Sequence, residues 1–158
     1  MRVRPLGEED REWATGRLRD LWGEGVVSRG RLLDATVLPG FVAEGDGEPA
    51  GLLTYRIDGG DCEVVTINAF PTGAGVGTAL MEAAAAAARD AGCRRVWLIT
   101  TNDNLRALRF YQRRGFSLTA LRPGAVDEAR AALKPEIAEV GQHGIPIRDE
   151  LVLTRSLW

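Results

Sequence analysis

The residues best suited to chemistry lie in Pro71-Thr72-Gly73-Ala74-Gly75-Val76-Gly77-Thr78-Ala79-Leu80, where three alternate glycines separate a strand-like run from an amphipathic one. Residues without side chains let a bound group approach the backbone closely. A helix starting near Val76 would add unpaired N–H groups and the positive end of its dipole. Together these features suit a negatively charged, phosphate-like guest. The same spacing also suits a turn that only joins strand to helix. Two familiar phosphate loops fail against the letters. A Walker loop needs Gly-x-x-x-x-Gly-Lys-Ser/Thr, and the chain's one lysine is Lys134. A dinucleotide fingerprint needs Gly-x-Gly-x-x-Gly, and here the third glycine, Gly77, falls one position early.

Thr72-Gly73-Ala74-Gly75-Val76-Gly77 resembles instead the pyrophosphate loop Gln/Arg-x-x-Gly-x-Gly/Ala of the GNAT superfamily of acyl-CoA-dependent N-acyltransferases, with Thr72 in place of Gln or Arg. That departure removes a side-chain contact and leaves the backbone N–H cradle. Downstream stands Asn104-Leu105-Arg106-Ala107-Leu108-Arg109-Phe110-Tyr111-Gln112-Arg113-Arg114-Gly115-Phe116. It fills every position of a later motif in that family, Asn-x-x-Ala-x-x-Phe-Tyr-x-x-x-Gly-Phe. The two motifs stand in the family's order with a strand-like run between them, Arg95 to Thr100, and span the central third of the chain.

The resemblance implies acetyl-CoA as cosubstrate and a primary amine as acceptor, joined by direct attack in a ternary complex. Such a reaction needs a neutral amine, a setting for the tetrahedral oxyanion and a proton for the leaving thiolate. Tyr111 aligns with the tyrosine that protonates the thiolate in relatives, and a phenol suits this role because its pKa lies above a thiol's. It could equally be a core aromatic beside Leu108. Glu63 resembles the strand glutamate that serves some members as base, often through water. A carboxylate partly buried among apolar strands would have its pKa raised toward that role, whereas one on a sheet edge would only face solvent. For the coenzyme, the resemblance implies Gly73, Ala74, Gly75, Val76, Gly77 and Thr78 at the pyrophosphate and the backbones of Ile67 and Ala69 along the pantetheine arm, with a β-bulge nearby. Asn104 would bond the arm or cap a helix, in competition with Asn102 and Asp103 for the cap. Arg114, beside Arg113, would face the 3′-phosphate.

These residues need elements to position them. Arg2 to Pro5 reads as an edge strand, and Glu8 to Trp22 as an amphipathic helix with Trp13, Leu18, Leu21 and Trp22. Gly23 to Pro39 is the least legible segment, with a short helix expected around Arg31 to Ala35. Phe41–Glu44 and Ala50–Ile57 read as a hairpin, and the turn Asp58-Gly59-Gly60-Asp61 leads into a strand from Cys62 to Ala69. A helix follows from Val76 to Ala91, with Val76, Leu80, Ala83, Ala84, Ala87 and Ala91 near one face. Next come a strand at Arg95–Thr100, a helix at Asn104–Arg114 and a strand at Phe116–Leu121. A short helix at Val126–Leu133 and a last strand at Asp149–Ser156 close the chain. Alternation in that last strand is too apolar for a fully exposed edge. The order matches what the resemblance implies: an α/β (α+β) fold with a mixed, splayed sheet of six to seven strands and helices on both faces.

The 158 residues suit a single domain over 1–158. A net charge of -2 and a pI near 5.5 argue against a general nucleic-acid or membrane surface. Cys62 and Cys93 form neither zinc spacing nor a disulfide framework, and the lone His143 reads as an exposed loop residue, so no metal is expected. The absence of a long apolar run or signal pattern leads to a cytoplasmic expectation. The acceptor is expected to be a small-molecule amine; Glu136, Glu139, Asp149 and Glu150 in the tail offer charge for a cationic one. Alternatives are a peptide or protein amine, or a non-catalytic CoA-binding sensor, which would need neither Glu63 nor Tyr111. Either a monomer or a homodimer suits such a fold.

Overall fold

The computed structural model describes residues 1–70 and 75–158. The chain forms two compact units. The first holds Met1–Val26, Asp34–Val96 and Leu157–Trp158; the second holds Val27–Leu33 and Trp97–Ser156.

In the first unit, β1 (Arg2–Pro5), β4 (Gly40–Gly45), β5 (Glu48–Asp58) and β6 (Asp61–Ala69) form an antiparallel meander in that order. Both of its hairpins turn through two residues, Asp46-Gly47 and Gly59-Gly60, all at positive φ, as the twist of paired strands favours. Residues 62–66 of β6 are buried without alternation, as expected of a strand covered on both faces. Helix α1 (Arg11–Trp22) follows a single 3-10 turn at Glu8–Asp10, so the expected helix begins three residues late as an α-helix. It buries Ala14 and Leu18, while Leu21, on the same stripe but one residue from the end of the helix, is exposed.

Helix α2 (Val76–Asp90) buries Val76, Leu80, Met81, Ala84, Ala85 and Ala88. The expected face was rotated by about one residue: Ala83 and Ala87 flank the stripe and Ala91 is exposed. In a run of alanines the hydrophobic pattern carries little phase information, and the exposed Glu82 and Asp90 were the better guide. Contact with the sheet is set by Gly51, where a Cβ would stand 2.7 Å from Val76 Cγ1 and 2.9 Å from Leu80 Cδ1. Since Gly51 opposes Ala69 in the ladder, α2 covers the Ala69 face of β6. Side chains alternate along a strand, so Asn68 and Phe70 project from the other face, where α1 meets them. Trp22 Nε1 donates to Asn68 Oδ1 at 2.9 Å, and Trp13 packs edge-on to Phe70 at 6.3 Å.

The segment expected to form a short helix is instead a hairpin, β2 (Val26–Ser28) with β3 (Arg31–Leu33), followed by a 3-10 turn at Ala35–Val37. Arg29 and Gly30 at positive φ make its turn. Within the second unit Arg29 lays its guanidinium over the Trp97 ring at 4.1 Å, a cation–π contact that no local pattern announces.

The second unit carries most of β7 (Arg95–Thr101), then α3 (Leu105–Arg113), β8 (Ser117–Arg122), α4 (Ala125–Ala132) and β9 (Glu150–Ser156). Its strands run in the order β7-β9-β8, and β8 pairs antiparallel with β9. The last strand therefore lies inside the order, which is why its sequence is too apolar for an edge; β8 is the exposed one. Among the described residues, a seven-stranded, mostly antiparallel sheet with helices, beside the two-stranded β2–β3 hairpin, makes the expected mixed fold.

Candidate active site

Glu63 and its setting come from the meander's register. The two-residue turn at Gly59-Gly60 pairs Asp58 with Asp61 and so places Arg56 opposite Glu63. Arg56 Nη1 donates to Glu63 Oε1 at 3.1 Å, and Glu63 is only 3% exposed. The residue is therefore an interior, ion-paired carboxylate, not a solvent-facing one at a sheet edge. Just beyond it the ladder shifts: Tyr55 opposes Val64 and Thr54 opposes Thr66, leaving Val65 as the extra residue of a bulge in β6. A buried bond between the Thr54 and Thr66 hydroxyls, 2.7 Å, pins the bulge. Ile67 and Ala69 follow in regular register with Leu53 and Gly51, and both are half-buried.

Gly75 begins α2 as its N-cap, with φ 82° and ψ 1°. That left-handed conformation suits glycine and strains other residues. Among the described residues, none comes within 4 Å of where a Cβ at Gly75 would stand. Ala79 N–H donates to Gly75 O at 2.9 Å as the first helical bond. The N–H groups of Val76, Gly77 and Thr78 thus lie ahead of the i→i−4 ladder, at the positive end of the helix dipole. Gly73 and Ala74 lie outside the described residues, as do Pro71 and Thr72.

In the second unit, three successive polar residues divide the work for which the sequence made them competitors. Asn104 takes the cap of α3: its Oδ1 accepts from Ala107 N–H at 3.3 Å and lies 3.4 Å from Gln142 Nε2. Asp103, buried, accepts from the Thr101 hydroxyl and from Gln142 N–H at 3.0 Å. Asn102 clamps the tail, with Nδ2 donating to Pro146 O and Oδ1 accepting from Arg148 and Asp149 N–H. Gly141 passes so close to Asp103 that a Cβ would fall 2.1 Å from its Oδ2.

Tyr111 sits on the buried side of α3, 9% exposed, with Phe110 and Phe116 edge-on at 5.4 and 5.8 Å. Burial pushes its phenol up to about 12. Among the described residues its hydroxyl makes no hydrogen bond, and it does not figure among the buried unpaired polar atoms. Arg114 stands at the far end of α3, with Nη1 donating to Phe110 O at 2.9 Å and its guanidinium 3.7 Å over the Phe110 ring.

Several tail acids have structural partners. Asp149 Oδ1 accepts from Gly124 N–H at 2.8 Å, ahead of α4. Glu150, 2% exposed, lies opposite Arg122 with Nε 3.6 Å away. Glu136 and Glu139 are exposed, as is His143 in a 3-10 turn. Both cysteines are free and buried, and burial pushes the Cys62 thiol up to about 12. Among the described residues no group of three or more His, Cys, Asp or Glu is arranged to hold a metal ion, and no helix is long and apolar enough to cross a membrane.

Sequence reading missed the Arg56 partner of Glu63, though counting back from the Gly59-Gly60 turn predicts it. It missed the Asp103–Gln142 tie entirely, and no local signal marks it, since 39 residues separate the two.

The seven-stranded mixed sheet with its helices is the fold expected of the acyltransferase class. The model of the acetyltransferase (GNAT) family matches residues 8–116, and the chain belongs to that family. It is 41% identical over 160 residues to YdhI, an uncharacterized protein of Bacillus subtilis (strain 168), covering 99% of each chain. Among solved structures, the IAA acetyltransferase from Bacillus cereus ATCC 14579 shares the fold with a TM-score of 0.76 at 19% identity, covering 98% of each chain. A GNAT family acetyltransferase from Elizabethkingia anophelis, solved with acetyl-CoA bound, does so with a TM-score of 0.72 at 17% identity, over 98% of this chain and 97% of that one.

Proposed function

We propose that this acyltransferase moves an acetyl group from acetyl-CoA to a primary amine of a small molecule, by direct attack in a ternary complex. The observation that carries the coenzyme assignment is Gly75, whose left-handed backbone opens α2 with no described residue crowding its Cα and sets the first N–H groups ahead of the helical ladder. In this reading the backbone of Gly73 to Thr78 receives the pyrophosphate, Ile67 and Ala69 pair with the pantetheine arm, and Asn104 bonds that arm while capping α3. Arg114 meets the 3′-phosphate. Glu63 takes a proton from the acceptor's ammonium through water. The neutral nitrogen then attacks the thioester carbon, the C–S bond breaks as Tyr111 Oη gives its proton to the departing sulfur, and the second proton lost by the nitrogen passes through water to the tyrosinate, which restores the phenol. What supports the donation by Tyr111 is a phenol kept protonated by burial, with no internal partner among the described residues.

Calorimetric titration with acetyl-CoA tests the coenzyme assignment. Wild type is expected to bind in the micromolar range. Gly75→Glu, which puts bulk and negative charge before the N–H groups, should weaken binding at least a hundredfold while circular dichroism reports an intact fold. A folded wild type that does not bind acetyl-CoA overturns the proposal.

A further inference from the structure

One cation of the first unit has no structural duty in proportion to its burial. Arg17, on α1, stacks its guanidinium on the Phe70 ring with Cζ 4.1 Å from the centroid. Its Nε is buried without a hydrogen-bond partner, and no carboxylate or carbonyl meets the group among the described residues. Withdrawing a guanidinium nitrogen from water without an acceptor is unfavourable, and only the ring face offsets it. Trp13 also packs edge-on to Phe70, and Trp22 is tied to Asn68 two residues earlier. The guanidinium is thus held by its face at the exit of β6, which leaves the in-plane edge of its terminal nitrogens for an anion. A planar fork of this kind matches a carboxylate with two parallel bonds.

The sheet decides which anion. Phe70 and Asn68 project from the face of β6 opposite Ala69, and α2 covers the Ala69 face. The helix start assigned to the coenzyme's pyrophosphate therefore belongs to the other face. We propose that Arg17 is a specificity-determining residue that receives a carboxylate of the acceptor, so that the favoured acceptors are amines that also carry a carboxylate, such as amino acids. The inference rests on the acetyl-transfer reading above.

The test uses matched pairs, free amino acids against their carboxamides, assayed by thiol release from acetyl-CoA and by ligand-induced Tm shift without coenzyme. Wild type should favour the carboxylate member about ten- to a hundredfold in kcat/KM, the range expected for a charge-assisted pair. Arg17→Met keeps the packing on Phe70 and should abolish the preference, with acetyl-CoA affinity unchanged within about twofold; Arg17→Lys should restore only part of it. The proposal is overturned by a preference that survives in Arg17→Met, or by the absence of both turnover and Tm shift with every carboxylate-bearing amine. A tenfold or greater loss of acetyl-CoA affinity in Arg17→Met, with the preference kept, overturns it in favour of a coenzyme phosphate. Failure of the acetyl-transfer reading shows separately, as no calorimetric binding of acetyl-CoA by wild type, and the Tm arm still decides the role of Arg17.

Discussion

Glu63 in the first unit and Tyr111 in the second are almost equally hidden from solvent, at 3% and 9% exposure, and they differ in what meets their polar atoms. Glu63 faces a cation across the ladder, so its charge is accommodated by the fold whether or not a substrate arrives. Tyr111 is wrapped by aromatic rings that offer its hydroxyl nothing. The difference teaches where the fold supplies a polar side chain with its own partner and where it supplies only rings.

The largest expected effect breaks the comparison at Tyr111. Tyr111→Phe keeps the aromatic packing and should lower kcat by about 10²- to 10⁴-fold, the range for lost general acid catalysis, with acetyl-CoA affinity nearly unchanged. Because burial raises the phenol to about 12, it stays protonated as pH climbs past the ordinary tyrosine value near 10. The wild-type rate should therefore show no loss of the acid form below about pH 11. A descending limb near pH 10 that vanishes in Tyr111→Phe would contradict that assignment.

At Glu63 the expected effect is smaller and sharpens the contrast. Glu63→Gln keeps an oxygen for Arg56 but removes its countercharge, so it should lower Tm and reduce kcat at pH 7 by about ten- to a hundredfold. If the carboxylate serves only as the partner of Arg56, steady-state kinetics will show an unchanged kcat beside the same fall in Tm. Asn104 gives the smallest effect. Asn104→Ala removes a cap worth about 1 kcal/mol of stability by urea denaturation, and any coenzyme contact would add a rise in the acetyl-CoA Kd. A lowered Cm with an unaltered Kd would confine Asn104 to capping.

Much of the fold was legible because its signals are local. Gly47 and Gly59-Gly60 mark two-residue hairpin turns, and the β-branched run in β6 marks a central strand. The motif around Tyr111 places that side chain on the inward face of a short helix through 3.6-residue spacing alone. Legibility failed where long-range packing overrode weak patterns. Val26–Leu33 is a hairpin held in part by Arg29 on Trp97, 68 positions later, and the all-alanine stretch of α2 concealed which side faces the sheet.

By itself the sequence determined the family, the order of the main elements and the candidates for the reacting side chains, since each depends on residue type and near spacing. Tertiary structure decided how those side chains are met. Arg56 opposes Glu63 only through strand register, and Phe110 with Phe116 encloses Tyr111 only after α3 has turned its ring inward. Arg17 reaches Phe70 only because α1 lies on the face of β6 that α2 does not cover. The physical reason is common to all three: a side chain's chemistry is set by the groups within a few ångströms of it, and those arrive from distant parts of the chain when apolar surface is buried.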